Sequence, residues 1–314
     1  MLEVDGVEVR FGDHVAVAGV SMVVERGEVV CLLGPSGSGK TSLLRAVAGL
    51  ETPAAGAIRW DGRDVTREPT HRRGFGLVFQ DFALFPHRSV AANVGFGLRM
   101  RGEPVEERVA EVLALVGLEG YGSRMPSTLS GGEQQRVALA RAVAPGCELL
   151  LMDEPLGSLD RPLRERLTGE LRAMLHDLGV AVVHVTHDQQ EALAIADRVV
   201  VLRDGRVAQA GTPAAVWRRP ADEFVARFLG FANLLPHPDG LLVVPPDAVS
   251  LGPEGEPGTV TAVTFRGTGF AVTVAVDGGA SLEVPVRSEA IPAPGDRVRV
   301  AIEARLTSVV PVVR

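Results

Sequence analysis

The chain is organised around Gly34-Pro35-Ser36-Gly37-Ser38-Gly39-Lys40-Thr41, which fits the pattern G-x-x-x-x-G-K-[ST]. The stretch follows the apolar run Val29-Val30-Cys31-Leu32-Leu33 and precedes a helical pattern from Ser42 to Leu50. A loop that cradles phosphates belongs in that position, between a strand and a helix start. The glycines let the backbone turn closely about a polyphosphate, so that successive N–H groups and the helix N-terminus face it. Lys40 would neutralise the outer phosphates, and the Thr41 hydroxyl would take one place on Mg²⁺. A glycine-rich turn without a ligand is the plain alternative, but the flanking strand and helix stand in register for the phosphate reading. A nucleotide-binding protein is expected.

Working outward, 314 residues leave room for two domains, and 46% apolar residues supply a substantial core. A net charge of −7 and the absence of a Lys/Arg run argue against a nucleic-acid partner. The longest apolar stretches, Val29 to Leu33 and Val180 to Val183, fall far short of the ~20 residues of a membrane span. Met1-Leu2-Glu3-Val4-Asp5 shows no basic or apolar leader, and Cys31 and Cys147 lack metal-like spacing and read as small core residues. The expectation is a soluble protein of a reducing compartment.

Upstream of the loop, Leu2 to Phe11 alternates apolar and polar residues, and Val15 to Val24 is a second β-rich run. Both suit an antiparallel layer beside the main sheet. Downstream, Ala57 to Trp60 and Gly76 to Phe79 are strand-like, and a helical region lies between Asp81 and Ala144. Within it Val105, Val109, Val112 and Val116 fall at helical spacing before Gly117. Glu148 to Asp153 reads as a parallel strand covered on both faces, and Leu163, Leu167, Leu171, Leu175 and Leu178 mark one face of a helix. Then come a strand over Val180 to Thr186, a helix over Gln189 to Ala196, a hairpin turning at Asp204-Gly205 and helical signal from Pro213 to Gly230. This alternation defines an α/β fold with a mostly parallel sheet. From about Leu241 to Arg314 short alternating runs separated by Gly, Pro and Asp turns indicate a small all-β domain, with the boundary near 231–242.

Two further stretches carry chemistry. Leu149 to Met152 ends in Asp153-Glu154, where Asp153 can reach Mg²⁺ opposite Thr41 and Glu154 is free to polarise a water attacking the γ-phosphate. A solvated acidic turn is the alternative for that pair taken alone. Leu129-Ser130-Gly131-Gly132-Glu133 opens a helix, with Ser130 as an N-cap and two glycines that leave backbone N–H groups bare for a second anion. Two phosphate-binding helix starts without a tandem repeat suggest that one serves a partner's nucleotide, in a head-to-tail dimer with two nucleotides at the interface.

Read together, these stretches resemble the nucleotide-binding subunit of an ABC transporter. Gly34 to Thr41 matches that family's Walker A, Leu129 to Glu133 its signature and Leu149 to Glu154 its Walker B. Gln80 matches the Q-loop glutamine, Ser158-Leu159-Asp160 the D-loop, His187 the switch histidine and Phe11 the aromatic that stacks on adenine, though taken alone His187 reads as a satisfied polar residue at a strand end and Phe11 as a core residue. The set occurs in family order over residues 1–230. The resemblance implies a P-loop NTPase domain over 1–232 with a helical subdomain at about 81–145, and an OB-like barrel over 240–314. It implies ATP and Mg²⁺ as cofactors. Phe11, the loop residues Gly34 to Thr41, Ser42, the signature residues Ser130 to Glu133 and Asp160 would bind the nucleotide, Asp160 reaching across the dimer. Thr41, Gln80 and Asp153 would meet the metal, and Glu154, His187 and Gln80 would act on the attacking water and the γ-phosphate.

The implied partners are a second copy of this chain, two membrane permease subunits docked over the helical insertion near residues 80–100 and, indirectly, an extracytoplasmic solute-binding protein. The implied place is the cytoplasmic face of the membrane, and the implied activity is ATP hydrolysis coupled to solute import. Val78 to His87, Gly211-Thr212-Pro213 and Arg219-Pro220-Ala221 resemble the importers that carry a C-terminal TOBE barrel, here a single or incomplete repeat. Among their solutes, Phe82 to His87 and Asn233-Leu234-Leu235-Pro236 lean toward ferric iron, with polyamine, thiamine and quaternary amine as alternatives. A non-transport ABC ATPase is the rival of another class, and a barrel that binds a regulatory anion is compatible with import.

Overall fold

A computed structural model describes residues 1–157, 161–267, 269–287 and 291–312, without the side chains of 161–163. Asp160 and the rest of the D-loop stretch lie outside the described residues. The chain divides into two compact units, Met1–Pro213 and Ala214–Arg314.

The first unit is built on a six-stranded sheet with strand order Arg206–Gly211, Arg198–Arg203, Val29–Leu33, Ala181–Val185, Leu149–Asp153, Gly76–Val78. All neighbours run parallel except the edge hairpin Arg198–Arg203/Arg206–Gly211, whose turn places Asp204 and Gly205 at positive φ. Successive side chains of a strand face opposite sides. Leu149 and Leu151 accordingly join a core with Leu43, Leu44, Val17 and Ile58, whereas Leu150 and Met152 join another with Val94, Val137 and Leu171. Both faces are covered, which is why this strand reads as a continuous apolar run. The expected second layer is a four-stranded antiparallel sheet containing Leu2–Phe11, His14–Val24, Ala55–Trp60 and Arg63–Asp64.

The helical insertion falls between Gly76–Val78 and Leu149–Asp153 and comprises Val90–Val94, Phe96–Arg101, Glu106–Leu115 and Gly131–Val143. Asn93, fully buried, ties its approach: its Oδ1 accepts from Phe85 N at 2.8 Å, and its Nδ2 donates to Phe85, Arg88 and Ser89 carbonyls. Of the leucine stripe, Leu167, Leu171 and Leu175 are buried on the helix Arg161–Leu178 and Leu178 is partly buried against the same core, while the Leu163 side chain lies outside the described residues.

In the second unit the helical signal of Pro213 to Gly230 resolves into Pro213–Arg218 and Glu223–Phe228. Pro220 supplies no N–H to continue the first helix, and Asp222 restarts the second by accepting from Val225 N at 2.8 Å. The stretch expected to be a boundary contains the hairpin Asn233–His237/Gly240–Val244, which pairs with Ser308–Val310. A four-stranded antiparallel sheet follows, ordered Ser281–Val286, Phe270–Val276, Val249–Phe265, Arg297–Ile302. Val260, Val272, Val274, Val284 and Val300 form its core, so the stretch that follows the two helices is the antiparallel all-β module expected.

Candidate functional site

Four parallel strands, Val29–Leu33, Ala181–Val185, Leu149–Asp153 and Gly76–Val78, release their following loops at one edge of the sheet. In open α/β sheets that carboxyl edge is where ligands bind. The loops carry Gly34 to Thr41, Thr186 and His187, Glu154, and Gln80.

Gly34, Gly37 and Gly39 all have positive φ. At Gly39 a Cβ would stand 2.2 Å from the carbonyl of Ala16, and at Gly34 one would stand 2.4 Å from that of Leu202, so the turn admits glycine alone. Lys40, 6% exposed, donates from Nζ to the Gly34 and Pro35 carbonyls at 2.8 and 2.9 Å and closes the loop into a ring. Burial lowers the Lys40 pKa, against the opposing pull of Glu154 and Asp153. The Ser38 hydroxyl is buried in the loop with no partner. An ammonium head, an orphaned hydroxyl and glycines at positive φ in one loop fit a polyphosphate.

Thr41 donates from Oγ1 to Asp153 Oδ1 at 3.0 Å, which brings together two of the three sequence-predicted metal residues. Burial raises the Asp153 pKa, and the Thr41 hydrogen bond opposes it. One hydroxyl and one carboxylate are a sparse donor set, suited to Mg²⁺, which keeps waters and takes phosphate oxygens. Among the described residues no cluster of three or more His, Cys, Asp and Glu forms a self-sufficient cage.

Glu154 follows at φ 47°, a left-handed conformation rare for a non-glycine residue, and its N–H donates to Val185 O at 2.9 Å. That bond ties the Glu154 backbone to the strand that leads into His187, whose Nδ1 lies 3.0 Å from Glu154 Oε2. A Cβ on Gly157 would stand 3.4 Å from both Gln80 Nε2 and Glu154 Oε2, so Gln80 and Glu154 border the same bare patch of backbone. Gly157 was not singled out from the sequence, and the short run after the Walker B acids carries no pattern that would have found it. Gln80 leads into Phe82 and Ala83, both at positive φ, where Arg141 donates to their carbonyls at 2.8 and 2.6 Å.

The signature residues make a separate arrangement. Ser130 caps the helix Gly131–Val143 in a capping box: its Oγ accepts from Glu133 N, and Glu133 Oε2 accepts from Ser130 N at 2.7 Å. The Ser130 backbone N–H beside Glu133, followed by the Ser130 side chain, holds that carboxyl below its usual range. Gly132 has a packing reason as well, because a Cβ there would stand 3.0 Å from Leu167 Cδ1. Phe11, at the end of its strand, is 46% exposed and is not a core residue. Cys31 and Cys147 are buried free thiols, and burial pushes Cys147 up to about 11.

Fold and loop together define a P-loop nucleotide hydrolase. Residues 17–157 match the family model of ABC transporters and residues 242–310 that of the TOBE domain. The Fe(3+) ions import ATP-binding protein FbpC of Streptomyces coelicolor is 51% identical over 97% of this chain and 95% of its own length. A sulfate/thiosulfate import ATP-binding protein CysA of Mycobacterium bovis is 46% identical, covering 90% of this chain and 85% of the relative. A second CysA, of Chromobacterium violaceum, is 54% identical over 72% of this chain and 63% of its own length. The chain belongs to the ABC transporter family, as an import ATP-binding subunit that hydrolyses ATP and carries a TOBE domain.

Proposed function

We propose that this chain hydrolyses Mg-ATP with Glu154 as the base that takes a proton from the attacking water and His187 as the group that orients Glu154 and bonds the γ-phosphate. The carrying observation is the convergence of Lys40, the Thr41–Asp153 pair, Gln80 and the Glu154–His187 pair at one sheet edge. With the carboxylate ionised, Glu154 is acceptor-only, so Nδ1 of His187 carries the shared proton and leaves the second oxygen of Glu154 for water. The glycine-rich loop, Ser42 and Lys40 hold the phosphates, and Phe11 offers an exposed face to the base. Thr41, Asp153 and Gln80 hold Mg²⁺, which supplies charge neutralisation at the phosphates.

Two copies pair head to tail, each lending Ser130 to Glu133 and Asp160 to the other's nucleotide. ATP then acts as a ligand that biases a two-state assembly. The dimer, with residues 1–232 as its ATPase domains and 240–314 as barrels, sits at the cytoplasmic face of the membrane. It drives two permease subunits fed by a binding protein. No described helix is long and apolar enough to cross a membrane.

Ferric iron is the solute we assign, supported by the Streptomyces relative that carries that name and aligns over nearly the whole of both chains. Sulfate is the second reading, favoured by the CysA relatives. Uptake of radiolabelled ferric iron and of sulfate, in cells carrying the wild-type or the Lys40→Ala chain, decides between them. Loss of iron uptake with sulfate uptake intact is expected, and the reverse would overturn the assignment.

A further inference from the structure

Next to His187 in sequence lies a cluster of buried polar side chains. His184 is fully buried, Thr186 is 2% exposed and Glu191 is 4% exposed. Glu191 opens the helix Gln189–Ile195, and its two carboxylate oxygens are used separately. Oε1 faces His184 Nε2 at 2.6 Å, and Oε2 accepts from Thr186 Oγ1 at 3.0 Å. The Thr186 hydroxyl in turn accepts the Asp188 backbone N–H at 3.0 Å. Asp188 Oδ1 closes the turn by accepting from Gln190 N and Glu191 N at 2.9 and 3.1 Å.

The consequence falls on the residue in the middle. His187 is bracketed by Thr186 and Asp188, and both are tied to the one buried carboxylate. The Thr186 backbone N–H donates to Leu32 O at 3.3 Å, two residues before Gly34, and the preceding Val185 carbonyl accepts from Glu154 N. Glu191 therefore lies at the meeting of the phosphate-loop strand, the acidic strand and the turn that carries the histidine. A carboxylate in such a place costs several kcal/mol unless every lone pair is engaged, and an apolar residue would fill the helix face at less cost. Sequence reading had one signal available: Glu191 shares the buried helix face with Ile195, four residues on.

We propose that Glu191 and Thr186 are positioning residues for hydrolysis. Through the Thr186 hydroxyl, Glu191 fixes the backbone on both sides of His187 and so holds His187 Nδ1 against Glu154. His184 Nε2 engages the other carboxylate oxygen at 2.6 Å and fixes the carboxylate plane. The inference rests on the roles given to Glu154 and His187 above.

The test uses the 314-residue chain. Thr186→Val keeps the shape and removes the hydroxyl, and Thr186→Ser restores it; thermal melting of both establishes that they fold. Misplacing a catalytic group by about 1 Å costs up to 10²-fold, so kcat for ATP is expected to fall roughly 10- to 100-fold in T186V. The Kd for a fluorescent ATP analogue should stay unchanged, and T186S should recover most of the rate. Glu191→Gln, which replaces one of the two acceptor oxygens with an amide donor, should show the same fall in kcat at constant Kd.

Unchanged kcat in T186V and E191Q would overturn the proposal, as would a matching loss of ATP affinity or a failure of serine to rescue. Glu154→Gln measured alongside separates the two claims. If it abolishes turnover while T186V does not, the positioning role alone is wrong; if it hydrolyses normally, the catalytic reading itself fails.

Discussion

Glu154 Oε2 stands 3.0 Å from His187 Nδ1, across adjacent parallel strands whose backbones are joined by the Glu154 N–H to Val185 carbonyl bond. The carboxylate reaches that position from a left-handed backbone, φ 47°, which costs of the order of 1–3 kcal/mol and persists only where its surroundings demand it. An extended backbone would carry Glu154 onward along the strand direction. The turn instead brings it back over the sheet edge, beside the histidine and next to the Thr41–Asp153 pair.

The phosphate loop should tolerate no side chain at Gly39. A Cβ would meet the Ala16 carbonyl at 2.2 Å with φ at +97°. Gly39→Ala is expected to lose nucleotide binding and to destabilise the first unit by roughly 1–3 kcal/mol or more. Urea denaturation and binding of a fluorescent ATP analogue check this, and wild-type values in both would contradict the geometry.

Arg73 holds the far end of the loop's helix. It is buried and donates to the Ala46, Val47, Thr66 and Glu68 carbonyls at 2.7 to 2.9 Å. Ala46 O keeps the Gly49 N–H, but Val47 O and the part-buried Thr66 and Glu68 carbonyls would lose their Arg73 donors; at about 1–3 kcal/mol for a buried acceptor left unpaired, Arg73→Ala should destabilise the chain by roughly 3 kcal/mol. Arg73→Lys should recover little, because one ammonium cannot span carbonyls on both segments. Urea midpoints of the two variants provide the check.

Asp153 predicts a pH dependence of known sign. Burial holds its carboxyl above the ordinary 3.8, so the native state binds the proton more readily than the unfolded chain. Ionised Asp153 is therefore a native-state cost, present in full above the raised pKa and gone below 3.8. Nucleotide-free Asp153→Asn should be more stable than wild type near neutral pH, by an amount that shrinks as pH falls through that window. It should also lose Mg²⁺-dependent ATP binding. Urea unfolding at about pH 7 and about pH 4 reads the first effect; equal stability at both would contradict it.

Much of this was legible in the sequence, for physical reasons. The parallel strands announced themselves because Leu149 to Met152 must be apolar on both faces. The loop did so because positive φ and close approach leave glycine as the sole solution at Gly34 and Gly39. Other features were hidden because they depend on residues distant in sequence. Gly157 matters for what Gln80 and Glu154 put beside it, and Gly132 lets Leu167 approach closely as well as standing at a helix start. Arg73 reads as one more basic residue in Thr70 to Arg73 until the carbonyls that surround it are seen. The helical signal from Pro213 to Gly230 holds two helices, and Pro220 with the Asp222 cap divides them.

The central claim is that Glu154 removes the proton from the attacking water while Lys40, Thr41 and Asp153 hold the Mg-nucleotide. Size-exclusion chromatography with light scattering, on wild-type and Glu154→Gln chains with Mg-ATP, tests it most directly beside a turnover assay. The variant should bind ATP with wild-type affinity, lose turnover by roughly 10²- to 10⁴-fold and elute as a stable dimer. An E154Q chain that stays monomeric with ATP bound, or that hydrolyses like wild type, would contradict the account.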